Sequence, residues 1–264
     1  MNRAERRRQI KEDERVIARG IGSPSLGAAQ VMALMRVLND RLEEARTVKS
    51  LVPLMTFFWD NMNAAARAAP RASLACGLGC SHCCHAWVSA RAPEVLFVKS
   101  SISRKLAQEM RASIEAIYAQ TGILGPEERD RMATPCPLLK NNSCQAYLAR
   151  PATCRTAVSE DAFACSQAFT PGSLGELIPM PEFYIGMRRG YSLALAGALK
   201  RSGFPTQAYE FNAALAAAFS REDAEIAWLS GEPVFGGVQV EPGGETFSTP
   251  NNRRLYDAAW AGWS

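Results

Sequence analysis

Apolar residues recur at three- and four-residue intervals over most of this chain, the spacing that lines one face of an α-helix. From Leu26 to Arg46 the residues on that face are Val31, Leu34, Met35, Leu38 and Leu42. A second stretch, residues 49 to 69, carries Leu54, Phe57, Phe58, Trp59 and Met62, with Pro53 suited to its first turn and Pro70 marking its end. A third starts at Pro93-Glu94 and runs as one helix to about Ala119, with Val95, Val98, Ile102, Leu106, Met110, Ile114 and Ile117 along one side. Gly122 and Gly125-Pro126 end it. Pro181 to Ser202 and Pro205 to Ser220 read as further helices, and Arg221 to Trp228 continues after a break. Ala86-Trp-Val-Ser89 reads as extended. The tail, with Gly236-Gly237 and Pro242-Gly-Gly, reads as loop, and Val238-Gln-Val240 is a candidate short strand.

Apart from the Pro93–Ala119 stretch, residues 71 to 170 lack the helical period, and all eight cysteines and both histidines lie in that window. The pattern therefore predicts a mainly α fold, with an irregular, loop-rich cysteine core inserted between helices. Four regions follow: a charged arm over 1–25, N-terminal helices over 26–70, the cysteine core over 71–170, and a C-terminal helical region over 171–264 that packs on the core. The arm carries Arg3, Arg6, Arg7, Arg8, Lys11, Arg15 and Arg19 against Glu5, Glu12, Asp13 and Glu14. It reads as a solvated, fraying helix, because no aromatic residues are interleaved for nucleic-acid stacking.

Composition changes this picture little. An apolar fraction of 47% is that of an ordinary globular protein, and a net charge of +4 over 264 residues gives no case for nucleic acid. No run reaches the roughly 18 apolar residues that span a bilayer. The N-terminus lacks the apolar stretch of a secretory signal, so the expected location is the cytoplasm, away from membranes. Thiols stay reduced there, and eight of them favour metal ligation over disulfides.

The first cluster reads Cys76-x3-Cys80-x2-Cys83-Cys84, with His82 and His85 inside it. Gly77 and Gly79 let the backbone turn tightly enough to aim several thiolates at one point. The second comprises Cys136, Cys144 and Cys154, with Tyr147, Arg150-Pro151 and Arg155 between and beside them, and Cys165 trails. Four thiolates around zinc or an oxidised iron–sulfur core leave a net charge of about −2. Arg150 and Arg155 are placed to offset it, with Tyr147 beside them. Neighbouring side chains of extended backbone point apart, so Cys83 and Cys84 serve two metals, or one of them is a packing or redox thiol. Two four-thiolate sites, one cluster with a redox pair, and one cluster with spare buried thiols all fit the number. His82 and His85 are either ligands or loop residues beside a ligand. The spacing lacks the regular paired Cys-x2-Cys arrangement of zinc ribbons, which favours an iron–sulfur cluster over a zinc or iron ion.

Those residues, Cys76, Cys80, Cys83 and Cys84, then Cys136-Pro, Cys144, Tyr147, Arg150-Pro151 and Cys154-Arg155, resemble the bacterial YkgJ-type cysteine-cluster proteins. The resemblance spans roughly residues 76 to 155 and implies chelation of zinc or iron without naming a reaction. Cys165 lies outside the matched part, and its role as an eighth ligand stays open. A more distant resemblance reaches flagellin lysine methylases.

The leading expectation is a metal-binding protein. A cluster-dependent redox or methyl-transfer enzyme is the first alternative; the Cys76-x3-Cys80-x2-Cys83 spacing also matches radical S-adenosylmethionine enzymes. Against it, the chain has neither the strand–helix alternation of a β/α barrel nor a glycine-rich cofactor loop. A metal carrier or sensor is the second alternative. Substrate and protein partner have no signature in the sequence.

Overall fold

In the computed structural model, residues 2–70, 74–77, 79–173, 178–241 and 249–263 are described. Along the chain come α1 (Arg3–Gly20), α2 (Ala28–Val48), α3 (Val52–Arg67), β1 (Ser89–Arg91), α4 (Ala92–Ser101), α5 (Arg104–Thr121) and α6 (Pro126–Met132). Then follow β2 (Leu139–Lys140), β3 (Ser143–Cys144), α7 (Ala152–Thr156), α8 (Ala162–Ala168) and α9 (Glu182–Arg201). The chain closes with β4 (Ala208–Glu210), α10 (Phe211–Ser220), α11 (Ala224–Leu229) and α12 (Pro250–Ala261). Twelve helices and four short strands among the described residues make the fold mainly α, as the periodicity predicts. No helix among them is long and apolar enough to cross a membrane.

The chain divides into two compact units: residues 1–71, 182–207 and 243–264 form one, and residues 72–181 with 208–242 form the other. In the first, α2 packs against α1, α3, α9 and α12. Its predicted face is the buried one: Val31, Leu34, Met35, Leu38 and Leu42 are all inaccessible to solvent. The α1 helix is docked rather than fraying. Asn2 caps it by accepting the Ala4 and Glu5 N–H groups, Ile17 and Asp13 are buried, and Arg6 binds Asp40 on α2 at 2.5 Å. In α9, Tyr184 and Tyr191 are buried, with Tyr191 edge-on to Phe58 at 5.8 Å between ring centroids. Both are packing residues of this unit. A Cβ on Gly186 would lie 2.0 Å from the Pro24 carbonyl oxygen, and one on Gly197 2.6 Å from Met35.

In the second unit α10 packs on α4 and α5, and α11 packs on α4. Three sequence expectations are corrected here. The helix expected from Pro93 to Ala119 is two helices, because Ile102 is extended and Ser103 starts α5 by accepting the Leu106 N–H at 3.3 Å. The Pro205–Ser220 helix begins only at Phe211. Ala208-Tyr-Glu210 instead pairs antiparallel with β1, and the Glu210 carboxylate caps α10 through the Ala213 N–H at 2.5 Å. The extended stretch before α4 starts pairing at Ser89, later than Ala86. Val240 bridges Tyr209, so the candidate strand at 238–240 does meet β4. The tail is not all loop: Thr249 caps α12 and Pro250 sits in its first turn, buried through Tyr256 and Ala259 in the first unit. Pro242-Gly-Gly lies outside the described residues.

Gly186→Ala places a methyl group against fixed backbone and should destabilise the protein by about 1–3 kcal/mol. A thermal melt reads this directly, and an unchanged midpoint would show that α9 can move away from Pro24.

Candidate metal centre

Five local structures carry the thiols. Cys76 lies on an extended segment held against Ser159: the Ala75 N–H donates to the Ser159 carbonyl at 2.9 Å, and the Ser159 N–H reaches the Cys76 sulfur at 3.4 Å. Gly79, at φ +84°, turns the chain toward Cys80. His82–His85 form a 3-10 turn. The turn leaves the Cys83 and Cys84 sulfurs within hydrogen-bonding reach of each other. The Cys136 N–H donates to the Cys84 carbonyl at 2.8 Å, joining the two halves of the motif.

Asn141 and Asn142 both take positive φ, 50° and 56°, and close a tight hairpin that pairs Leu139 with Cys144. Cys154 is on α7, whose first turn is fixed by the Glu94 carboxylate. Glu94 accepts the Ala152 N–H at 2.8 Å with one oxygen and the Arg91 N–H at 2.9 Å with the other. Thr153 adds a hydrogen bond to the Ser89 carbonyl at 2.9 Å. Cys165 is on α8, capped by Asp161 and packed against the 3-10 turn.

All eight cysteines are free thiols. Their mutual electrostatic effects divide them into two groups. Cys76 is acted on by Cys80, Cys83 and Cys165, and Cys165 by Cys80 and Cys83. Cys84 is acted on by Cys136 and Cys154, Cys136 by Cys144, and Cys154 by both Cys136 and Cys144. Cys83 joins the groups: it also acts on Cys144 and Cys154, and the Cys84 thiol donates to its sulfur. That hydrogen bond holds Cys83 below the usual thiol range and pushes Cys84 far above it. Burial pushes Cys136 up to about 12, and Cys154 well above the usual range. Burial thus disfavours the thiolate at Cys84, Cys136 and Cys154. Among the described residues, no three of His, Cys, Asp and Glu converge on a single point.

Around the thiols, Arg150 stacks 3.7 Å from the Tyr147 ring and lowers Cys83, Cys144 and Cys154. Arg155 donates to the carbonyls of Arg150, at 2.9 Å, and Leu148, bracing the turn that carries Tyr147. The His85 Nδ1 contacts the carbonyls of Ser81 and His82, each at 3.2 Å, which requires a proton on that nitrogen. His82, between Ser81 and Cys83, is half-buried in the same turn. Two residues here had no sequence signal. Glu94 looked like an ordinary first-turn acid, and Arg129 like one charge among several in Pro126–Met132.

Residues 75–169 match a family model titled CxxCxxCC and described as "Putative zinc- or iron-chelating domain". The match covers all eight cysteines and extends the sequence resemblance to Cys165. The first gap in this chain, three residues between Cys76 and Cys80, is one longer than that title spells. No curated protein and no solved structure matches the chain.

Glu94→Ala strips two buried N–H groups of their acceptor and should cost about 2–4 kcal/mol. Glu94→Gln, which keeps one acceptor oxygen, should cost less. Denaturant titration of the two variants would contradict this role of Glu94 if they proved equally stable.

Proposed function

We propose that this protein holds zinc or iron through two thiolate quartets, Cys76, Cys80, Cys83 and Cys165 in one, and Cys84, Cys136, Cys144 and Cys154 in the other. One observation carries the reading: eight free thiols from distant stretches of sequence act on one another in two overlapping sets, with Cys83 common to both. The donor set fits a soft or borderline ion, and Arg150 supplies a positive charge beside it. The thiols do not converge on one point as they stand, so metal binding includes a local closure. The Cys76–Cys80 loop, with Gly77 and Gly79 free of close neighbours, has the room for it.

An iron–sulfur cluster is the favoured occupant, because both quartets are sulfur only and Arg150 offsets the charge of such a cluster. When bound, the metal replaces the thiol protons and ties the loops of residues 75–169 into one core. Free thiols in this number also support a reducing compartment such as the cytoplasm. A carrier or sensor role is the second reading. It is favoured by the exposure of Cys76 and Cys80, which leaves the first quartet open to exchange while the second is half-buried.

The test is metal content of protein purified without oxygen, in the wild type, Cys165→Ser and Cys154→Ser. Each variant should lose about half of the metal, because each breaks one quartet. A brown protein absorbing near roughly 400 nm would identify iron–sulfur, and a colourless protein with stoichiometric zinc would exclude it. Full metal content in Cys165→Ser would contradict the first quartet.

A further inference from the structure

Arg129 is fully buried in the cysteine-core unit, on α6, and its guanidinium has one hydrogen bond. Nη1 donates to the carbonyl of His85 at 3.1 Å, the residue next to Cys84. Nε and Nη2 have no partner. The groups around them that can carry negative charge are Glu210, Cys136 and Asp130. Two of these are engaged elsewhere: Glu210 accepts the Ala213 N–H at 2.5 Å, and Asp130 accepts the Trp87 N–H at 2.5 Å. Arg131 on the same helix is exposed and pairs with Glu127, so burial of Arg129 is specific to its position. A buried guanidinium with two idle N–H groups is costly unless an anion meets it. The Nη1 bond to the His85 carbonyl, next to Cys84, sets this cation against the second group of thiols.

We infer that Arg129 is the counter-charge of the second quartet, its two unpartnered N–H groups stabilising the negative charge that Cys84, Cys136, Cys144 and Cys154 acquire when they bind metal. The inference rests on the two-quartet reading and deepens it. Four thiolates around an ion or cluster core of charge about +2 leave about −2, and a fixed buried cation bonded to the carbonyl next to Cys84 offsets it. Arg129 thus favours the loaded form over the metal-free one, which marks it as a positioning residue for the site rather than a general brace.

The test uses the full chain, stripped of metal and titrated with Zn²⁺ against a chromophoric chelator, with melts of the metal-free and loaded forms. Arg129→Met should weaken binding of one of the two ions by about 10- to 100-fold. Its loaded form should lose more melting temperature than its metal-free form, because Glu210 and Asp130 stay beside the site in both and only the loaded form adds the thiolate charge. Arg129→Lys, which keeps the charge, should recover part of the affinity. Should Arg129→Met be insoluble, Arg129→Gln serves for the same comparison. Unchanged affinity for both ions, or an equal loss of stability in the metal-free and loaded forms, would overturn the role of Arg129 alone. A wild type that takes up no Zn²⁺ and purifies without iron would overturn the two-quartet reading, and this inference with it.

Discussion

The hydrogen bond from the Cys136 N–H to the Cys84 carbonyl, 2.8 Å long, joins two stretches of chain that each carry only half of the thiols. Everything distinctive about the cysteine-core unit depends on that junction. The loops around it have little apolar surface to bury, and among the cysteines only Cys165 is buried. Backbone and side-chain hydrogen bonds therefore fix the thiols: Ser159 on Cys76, Glu94 on the turn before Cys154, the Asn141-Asn142 hairpin under Cys144. A core built this way tolerates neutral thiols. It becomes strongly held only when a metal crosslinks its segments.

The same arrangement sets an electrostatic problem. Gathering thiolates in a partly buried place raises the cost of each new charge, which is why burial drives Cys136 and Cys154 upward. The surroundings include two arginines that bear on these thiols, alongside the acids Glu210 and Asp161. Arg150 lies over Tyr147 and acts on three thiols, and Arg129 is buried beside Cys136. Arg155, at first sight the equal of Arg150, instead braces carbonyls and keeps the Tyr147–Arg150 turn in shape. A resident metal–thiolate centre is the negative charge that these cations suit.

Much of this was legible in the sequence, and the reasons differ by level. The α2 and α3 faces were readable because a 3.6-residue period survives wherever one side of a helix is buried, as at Leu34, Leu38, Leu54 and Phe58. The cysteine motif was readable because spacing is chemistry. The break at Ile102-Ser103 was not, since the apolar period runs through it without interruption and only the Ser103 cap marks it. Strand β4 was hidden inside an alanine-rich helical pattern, because Ala208-Tyr-Glu210 gains its partner from Ser89–Arg91, over a hundred residues away. Helix α12 left a local signal, Thr249-Pro250, that the glycines before it obscured. Arg129 left none: in a run of Glu, Arg and Asp, only the fold distinguishes the buried charge from the exposed ones. The place of Cys165 was likewise invisible, because α8 reaches the first cluster through tertiary packing.

X-ray absorption at the metal edge of the native, anaerobically purified protein reads the donor atoms around the metal. All-thiolate quartets predict a first shell of sulfur alone, at about 2.3 Å for zinc or iron. A shell dominated by nitrogen or oxygen would contradict them and return His82 and His85 to the centre of the site.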